Sequence, residues 1–224
     1  MTVAIIQARM RATRLPNKML LDLHGFPIIE WVYRRALKSK RLEKIIFAIP
    51  NKPSDNILAS YLESIGAIVF RGSENDVVDR YYQAARSLFT ENIVRICADN
   101  PLICASEIDR LIDYFELHTC DYAYNHIPYK NSYPDGLGAE ICRLGLLEEI
   151  HNNAKKLNHR EHLFNYLWDN TNQYKINTFD PPNELAQPQL KLDIDNYEDY
   201  QRLQSKPFKI EMSAIDIVQT ALQK

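Results

Sequence analysis

Three absences bound this chain before any motif is considered. It contains no GxxxxGK[ST], so it is not a P-loop NTPase. It has no run approaching the roughly 18 apolar residues that cross a bilayer, and no apolar leader core at its amino terminus; the reading is a cytoplasmic protein with no membrane partner. It has no surplus of positive charge, with 27 Lys and Arg against 29 Asp and Glu for a net charge of −2, which argues against nucleic acid as a partner. Cysteine is scarce too. Cys97, Cys104, Cys120 and Cys142 form no CxxC and have no histidine at finger spacing, so they read as free thiols in a reducing compartment. What is present, 46% hydrophobic residues over 224 positions, suffices for one domain with a proper core.

The positive charge that does exist is local. Val3-Ala4-Ile5-Ile6-Gln7 is long enough for one buried strand and too short for a helix. It runs into Arg9, Arg11, Arg14 and Lys18, clustered around Pro16, which removes a backbone donor and fixes φ. Such a cluster is read either as a solvated surface or as a shaped cationic loop. The cations surround a Leu-Pro corner and do not follow one helical face, which favours a loop that meets polyphosphate at the carboxyl end of a strand.

Downstream, short apolar runs alternate with helical periodicity. Phe26 to Leu37 reads as a helix and Lys44 to Ile49 as a strand; Ser54 reads as the N-cap of a helix ended by Gly66, and Ala67 to Phe70 as a strand. Asp76 to Phe89 reads as a helix, Asn92 to Ala98 as a strand and Ser106 to His118 as a helix. The rhythm predicts an α/β fold, a mostly parallel sheet covered by helices on both faces. Asp99 then falls in the loop past the fourth strand. There it either holds a hard metal together with substrate phosphate or caps the turn at Pro101.

The stretch IIQARMRATRLPNKMLL resembles the amino-terminal signature of the sugar-acid cytidylyltransferases, with its Ala-Arg, Thr-Arg-Leu-Pro and Lys. Arg11-Ala12 and Asn17 replace the family's usual Gly-Ser and Gly. Arg-Ile-x-Ala-Asp-Asn-Pro-Leu-Ile, here Arg95 to Ile103, points to the spore-coat polysaccharide branch, related to the synthetases of CMP-ketodeoxyoctonate and CMP-acylneuraminate. The resemblance implies a Rossmann-like nucleotidyltransferase fold, CTP as a substrate, Mg2+ as cofactor and a homodimer. It places Ala8, Arg9, Arg14, Lys18 and Ala98 at the nucleotide, with Arg9, Arg14 and Lys18 acting in catalysis, and Asp99 at the metal. It further suggests Arg71 at the base or ribose and Asp79-Arg80 in the wall behind it. Asp76 as a helix cap, with Asp79 and Arg80 on a solvated side, is the plain alternative.

After Cys120 the rhythm breaks, in a stretch around 120–180 that the resemblance makes an insertion shaping a sugar pocket and a dimer contact. Gly136, Glu140, Arg160 and His162 match the branch there, as sugar-binding residues or as ordinary polar positions. Further on, Leu190 to Asp195 alternates apolar and acidic residues and predicts a strand with Asp193 and Asp195 on one face. It reads as a second half of the metal site, with Asp195 the family's ligand and Asp193 a possible partner, or as an acid-blunted edge strand. Ser213 to Gln223 reads as a packing helix. The implied reaction joins CTP to a 2-keto-3-deoxy sugar acid. A metal-dependent glycosyltransferase using Asp193-Ile194-Asp195 and a non-catalytic nucleotide-sugar binding protein are the other classes.

Overall fold

The computed structural model describes residues 1–88 and 90–223. Its centre is a seven-stranded sheet in the order β5-β4-β1-β6-β8-β7-β9. β1 (Thr2–Gln7) pairs in parallel with β4 (Lys44–Pro50) on one side and β6 (Asn92–Cys97) on the other, and β4 pairs in parallel with the edge strand β5 (Ile68–Gly72). The chain therefore builds outward from β1 to β5, then crosses back to β6. That reversal is a topological switch point, where loops leaving β1 and β6 part and open a crevice at the strands' carboxyl ends.

β1 is buried on both faces because both are covered, which is why its sequence is a nearly unbroken apolar run. Ala4 and Ile6 face α1 (Ile28–Ala36), α2 (Asn56–Ser64) and α4 (Ala105–Leu117). Ile5 faces α3 (Val77–Arg86) and α5 (Leu144–Asn153). The expected helix at Phe26 starts two residues late, because Phe26–Pro27 forms β3 and pairs with β2 (Asp22–Leu23). The two linking residues, His24 at φ 50° and Gly25 at φ 89°, make a tight hairpin loop of the type that needs left-handed residues. Ser54 is not the cap of α2. A 3-10 turn, Pro53–Asp55, precedes that helix, and Asp55 is turned inward. Asp76 does cap α3, accepting from the Asp79 N–H; Phe89, the far end of the expected helix, lies outside the described residues.

Residues 120–180 interrupt the βα rhythm with strands as well as helices. β7 (Tyr122–Tyr124), β8 (Glu140–Arg143) and β9 (Ile176–Asn177) extend the same sheet, β8 running antiparallel to both β6 and β7. Short helices α6 (Leu157–Glu161) and α7 (Asn165–Asp169) lie between β8 and β9, after α5. α8 (Tyr197–Gln204) and α9 (Ala214–Leu222) close the described chain, α9 behind a Ser213–Asp216 capping box. No described helix is long and apolar enough to cross a membrane.

The stretch Leu190 to Asp195 is extended but is not a strand of the sheet. Its backbone serves two different loops: Leu192 N–H donates to Asp135 O and Ile194 N–H to Asp99 O, each at 2.9 Å, so no continuous ladder forms. The alternation survives. Leu192 and Ile194 are buried in a third core with Leu15, Leu23, Trp31, Leu102 and the apolar sides of α8 and α9. Thus Leu15 of the cationic loop and Ile194 beside Asp195 are anchored in the same apolar cluster.

Truncating Ile194 to Ala should cost about 2–5 kcal/mol of unfolding free energy, as for other fully buried aliphatic truncations. Urea denaturation measures it; a loss below about 1 kcal/mol would show that the third core can collapse without this side chain.

Candidate active site

The loop after β1 is shaped by what holds it from behind. Met10 N–H donates to the buried carboxylate of Asp55 at 2.8 Å, and the Met10 side chain enters the first core. Leu15 enters the third. Asn17 then adopts φ 59°, ψ 18°, a left-handed conformation that Asn tolerates better than most residues, so it fills the position where the resemblance expects Gly. From that turn Lys18 points inward. Pinned at Met10 and Leu15, the loop leaves Arg9, Arg11 and Arg14 exposed on its outer surface.

Lys18 joins three segments distant in sequence. Its side chain is only 8% exposed, and its Nζ donates to the Asp99 carboxylate at 3.1 Å and to Ile194 O at 2.7 Å. Arg14, 67% exposed, pairs with Asp195 at 3.1 Å. Behind Asp195, Asp199 accepts the Asp195 N–H and pairs with Lys191 and Arg202. Burial alone would raise the Asp199 carboxyl, but these donors hold it far below the usual carboxylate range.

These groups surround a cleft of about 310 Å³ at the switch point. Its lining includes the expected residues Ala8, Arg9, Arg14, Lys18, Ala98, Asp99, His162 and Asp195. Thr13, Arg95 and Cys97 join them, and burial pushes the Cys97 thiol up to about 12. A larger, more open depression of about 680 Å³ lies at the opposite end of β6, beside Glu91 and Arg143, and contains none of the expected site residues. The candidate site is the smaller cleft, which lies at the carboxyl ends of β1 and β6 and gathers the expected residues.

Six expected residues lie outside this lining. Arg71 donates to Asn56, Pro50 O and Lys52 O, which staples the end of β5 to the turn after β4. Asp79 meets Gln83 and His151, and these partners keep its carboxyl low against the effect of burial. Arg80 is buried and donates to the Ser73 and Glu74 carbonyls; burial lowers its guanidinium, and the nearby charge of Arg9 adds to this. Arg160 pairs with the α3 cap Asp76 at 2.5 Å and donates to His151 O, so of the Arg160–His162 pair only His162 reaches the cleft. Glu140 is buried against Arg95 and Tyr122.

Gly136 takes φ 88°, and a Cβ there would stand 2.9 Å from Asp193 N, so it permits close passage of the backbone that carries Asp195. The Asp193 and Asp195 carboxylates both approach Lys191, at 3.6 and 3.8 Å, but only Asp195 lines the cleft. One Asp193 oxygen is buried without a partner, and burial with the neighbouring Asp135 pushes that carboxyl up to about 6.

A metal has a plausible donor set only in part from the protein. Among the described residues no three His, Cys, Asp or Glu side chains cluster as ligands. Asp99 and Asp195 are two carboxylates beside a cationic loop, which matches the chemistry of magnesium: one or two carboxylates, with the remaining positions left to water and substrate phosphate.

The whole chain can now be placed among known proteins. The family model described as cytidylyltransferase matches residues 3–219. The chain belongs to the cytidylyltransferase family. It is 30% identical to the spore coat polysaccharide biosynthesis protein SpsF of Bacillus subtilis, over 90% of this chain and 84% of that protein. A cytidylyltransferase structure from Leptospira borgpetersenii superposes with TM-score 0.88 at 30% identity, covering 100% of this chain and 98% of that one. A CMP:2-keto-3-deoxy-manno-octonic acid synthetase solved with CTP shares the fold, with TM-score 0.69 at 16% identity over 91% and 97% of the two chains.

Sequence reasoning missed two residues that shape this cytidylyltransferase cleft, one behind its loop and one in its lining. Asp55 looks like part of a helix start, and only the fold shows that its carboxylate reaches Met10 N–H, 45 residues away. Arg95 was visible in the Arg-Ile-x-Ala-Asp pattern but had no assignable partner until β8 was found beside β6.

Gly136→Ala is expected to cost more than about 1 kcal/mol, because it forces a Cβ into a positive-φ position. It should also displace the 192–195 backbone, read as faster hydrogen exchange at Ile194 N–H than in the parent; unchanged exchange there would separate Gly136 from the Asp195 segment.

Proposed function

We propose that this cytidylyltransferase couples CTP to a 2-keto-3-deoxy sugar acid, such as a nonulosonate or ketodeoxyoctonate, giving a CMP-sugar and pyrophosphate. The observation that carries the reading is the meeting of Arg9, Arg14 and Lys18 with Asp99 and Asp195 in one cleft. Arg9 and Arg14 lie at its outer lip, suited to a mobile triphosphate in solvent, while Lys18 sits at its inner edge.

In the resting protein the cations and carboxylates neutralise one another, Lys18 with Asp99 and Arg14 with Asp195. On substrate binding the cations would turn to phosphate oxygens, which frees the two carboxylates. Asp99 and Asp195 would hold Mg2+, which supplies Lewis-acid polarisation of the α-phosphate when bound. The remaining chemistry is positioning. Arg9 and Arg14 neutralise the β- and γ-phosphates, and Lys18, screened from water, stabilises charge on the departing pyrophosphate. The acceptor hydroxyl attacks phosphorus in line, so no protein nucleophile is required. His162 lines the cleft apart from the cationic loop and is assigned to the acceptor.

Two similar proteins support the acceptor class and its use: one is a CMP:2-keto-3-deoxy-manno-octonic acid synthetase, the other a spore coat polysaccharide biosynthesis protein. By the same reasoning the activated sugar serves surface glycan synthesis; that the enzyme works in the cytoplasm as a homodimer is part of the proposal on the family resemblance alone. Asp195 lines the cleft and Asp193 does not, which weighs against a glycosyltransferase that presents both carboxylates to its substrate.

Arg14→Ala should lower kcat/KM for CTP by about 10²-fold or more. Its side chain is largely exposed, so stability should change by no more than about 0.5 kcal/mol. Pyrophosphate release at varied CTP, beside a thermal melt, checks both; full activity in Arg14→Ala would remove the loop from catalysis. Chelation with EDTA should abolish release and added Mg2+ restore it, and undiminished turnover in EDTA would exclude the metal role of Asp99 and Asp195.

A further inference from the structure

Beneath the phosphate and metal groups, the cleft floor contains a charged network that they leave unused. Arg95 on β6 and Glu140 on β8 are directly opposed in the antiparallel register, and Arg95 Nη1 donates to Glu140 Oε2. Glu140 is 4% exposed; its other oxygen accepts from the Tyr122 hydroxyl, and His126 Nε2 lies 3.6 Å from Oε2. Burial alone would raise the Glu140 carboxyl, yet the Arg95 guanidinium and the Tyr122 hydroxyl help bring it below its ordinary value, so it stays a carboxylate. Burial in turn lowers the His126 imidazole, leaving it neutral near pH 7. The effect is a guanidinium held in one plane by an ionised partner.

Such a guanidinium has five N–H donors in a fixed fork, and Glu140 takes only part of that capacity. Arg95 Nε is buried without a partner, as is His126 Nδ1. The side chain is 24% exposed and reaches the cleft wall with Cys97, Asp99 and His162. Its strand lies between β1, which feeds the cationic loop, and β8, which carries Glu140. Glu140 draws the guanidinium toward the β8 side, away from β1, which on the proposed reading favours the acceptor over the triphosphate as its ligand. Oxygens of a planar carboxylate match the fork in geometry and charge.

We propose that Arg95, oriented by Glu140, binds the carboxylate of the acceptor sugar acid and thereby fixes which face of that sugar meets the α-phosphate. This rests on the cytidylyl-transfer reading above and adds a specificity-determining residue to it. Glu140 is then a positioning residue, acting through Arg95 without touching the sugar.

The test uses two variants of the full chain. Arg95→Lys keeps a cation for Glu140 but removes the fork; Arg95→Gln with Glu140→Gln removes both buried charges together and so avoids leaving one unpaired. Pyrophosphate release is measured with CTP and Mg2+ against 3-deoxy-manno-octulosonate and N-acetylneuraminate, varying acceptor and CTP separately. In both variants the acceptor KM should rise about tenfold or more while the KM for CTP stays within about twofold. Unchanged acceptor KM, or a rise for CTP instead, overturns the assignment while leaving cytidylyl transfer intact. If neither variant folds, the pair is structural and the assignment also falls. If the unmodified protein releases no pyrophosphate with either acid, the acceptor class itself is wrong and Arg95 loses its ligand.

Discussion

A single buried ammonium holds the catalytic end of this molecule together. Lys18 follows a strand at the centre of the sheet, reaches the carboxylate after β6, and caps a carbonyl almost at the far end of the chain. A lysine removed from water needs such partners, since an unpaired buried charge is strongly destabilising. The requirement works in both directions: the loop after β1 is correct only when Asp99 and Ile194 are in place, and the 192–195 segment has a fixed position only when the loop presents Lys18. The third core reinforces this, because Leu15 and Ile194 enter it from the two sides.

Parts of this were legible in the residues and parts were not, for a physical reason. Local signals sufficed for β1, β4, β6 and the helices between them, because each is set by a hydrophobic period within ten or so residues. The TRLP corner and Asp99 were legible because the loops leaving a parallel sheet lie at one end. Arg71 and Arg160 show the limit. Both are cations in plausible positions, and each is taken up by neighbours that the sequence does not reveal, Asn56 with two carbonyls and Asp76 respectively. A side chain's identity shows what it can bind; only the fold shows what it is already binding. Leu190 to Asp195 failed more subtly, since the alternation was real but its hydrogen bonds went to two loops in place of one strand.

The antiparallel strand β8 marks where a generic nucleotide fold becomes a particular enzyme. Everything from β5 to β6 is a parallel sheet, one of whose loops gathers the cations, whereas β8 brings Glu140 across from Arg95 and places a buried ion pair between two strands. Asp55 and Gly136 play quieter parts, one fixing a loop through a backbone N–H and the other by lacking a side chain. None of these three needs to touch substrate to determine where substrate goes.

The resting ion pairs, finally, bear on how the cleft waits for its ligand. With carboxylates against Lys18 and Arg14, the cations already face negative oxygen at hydrogen-bond distance and have shed part of their water shell. On the proposed function, the two carboxylates stand in for phosphate. Substrate entry then becomes an exchange of anions around cations that are already aligned, so little reorganisation of the loop is left for the moment of reaction.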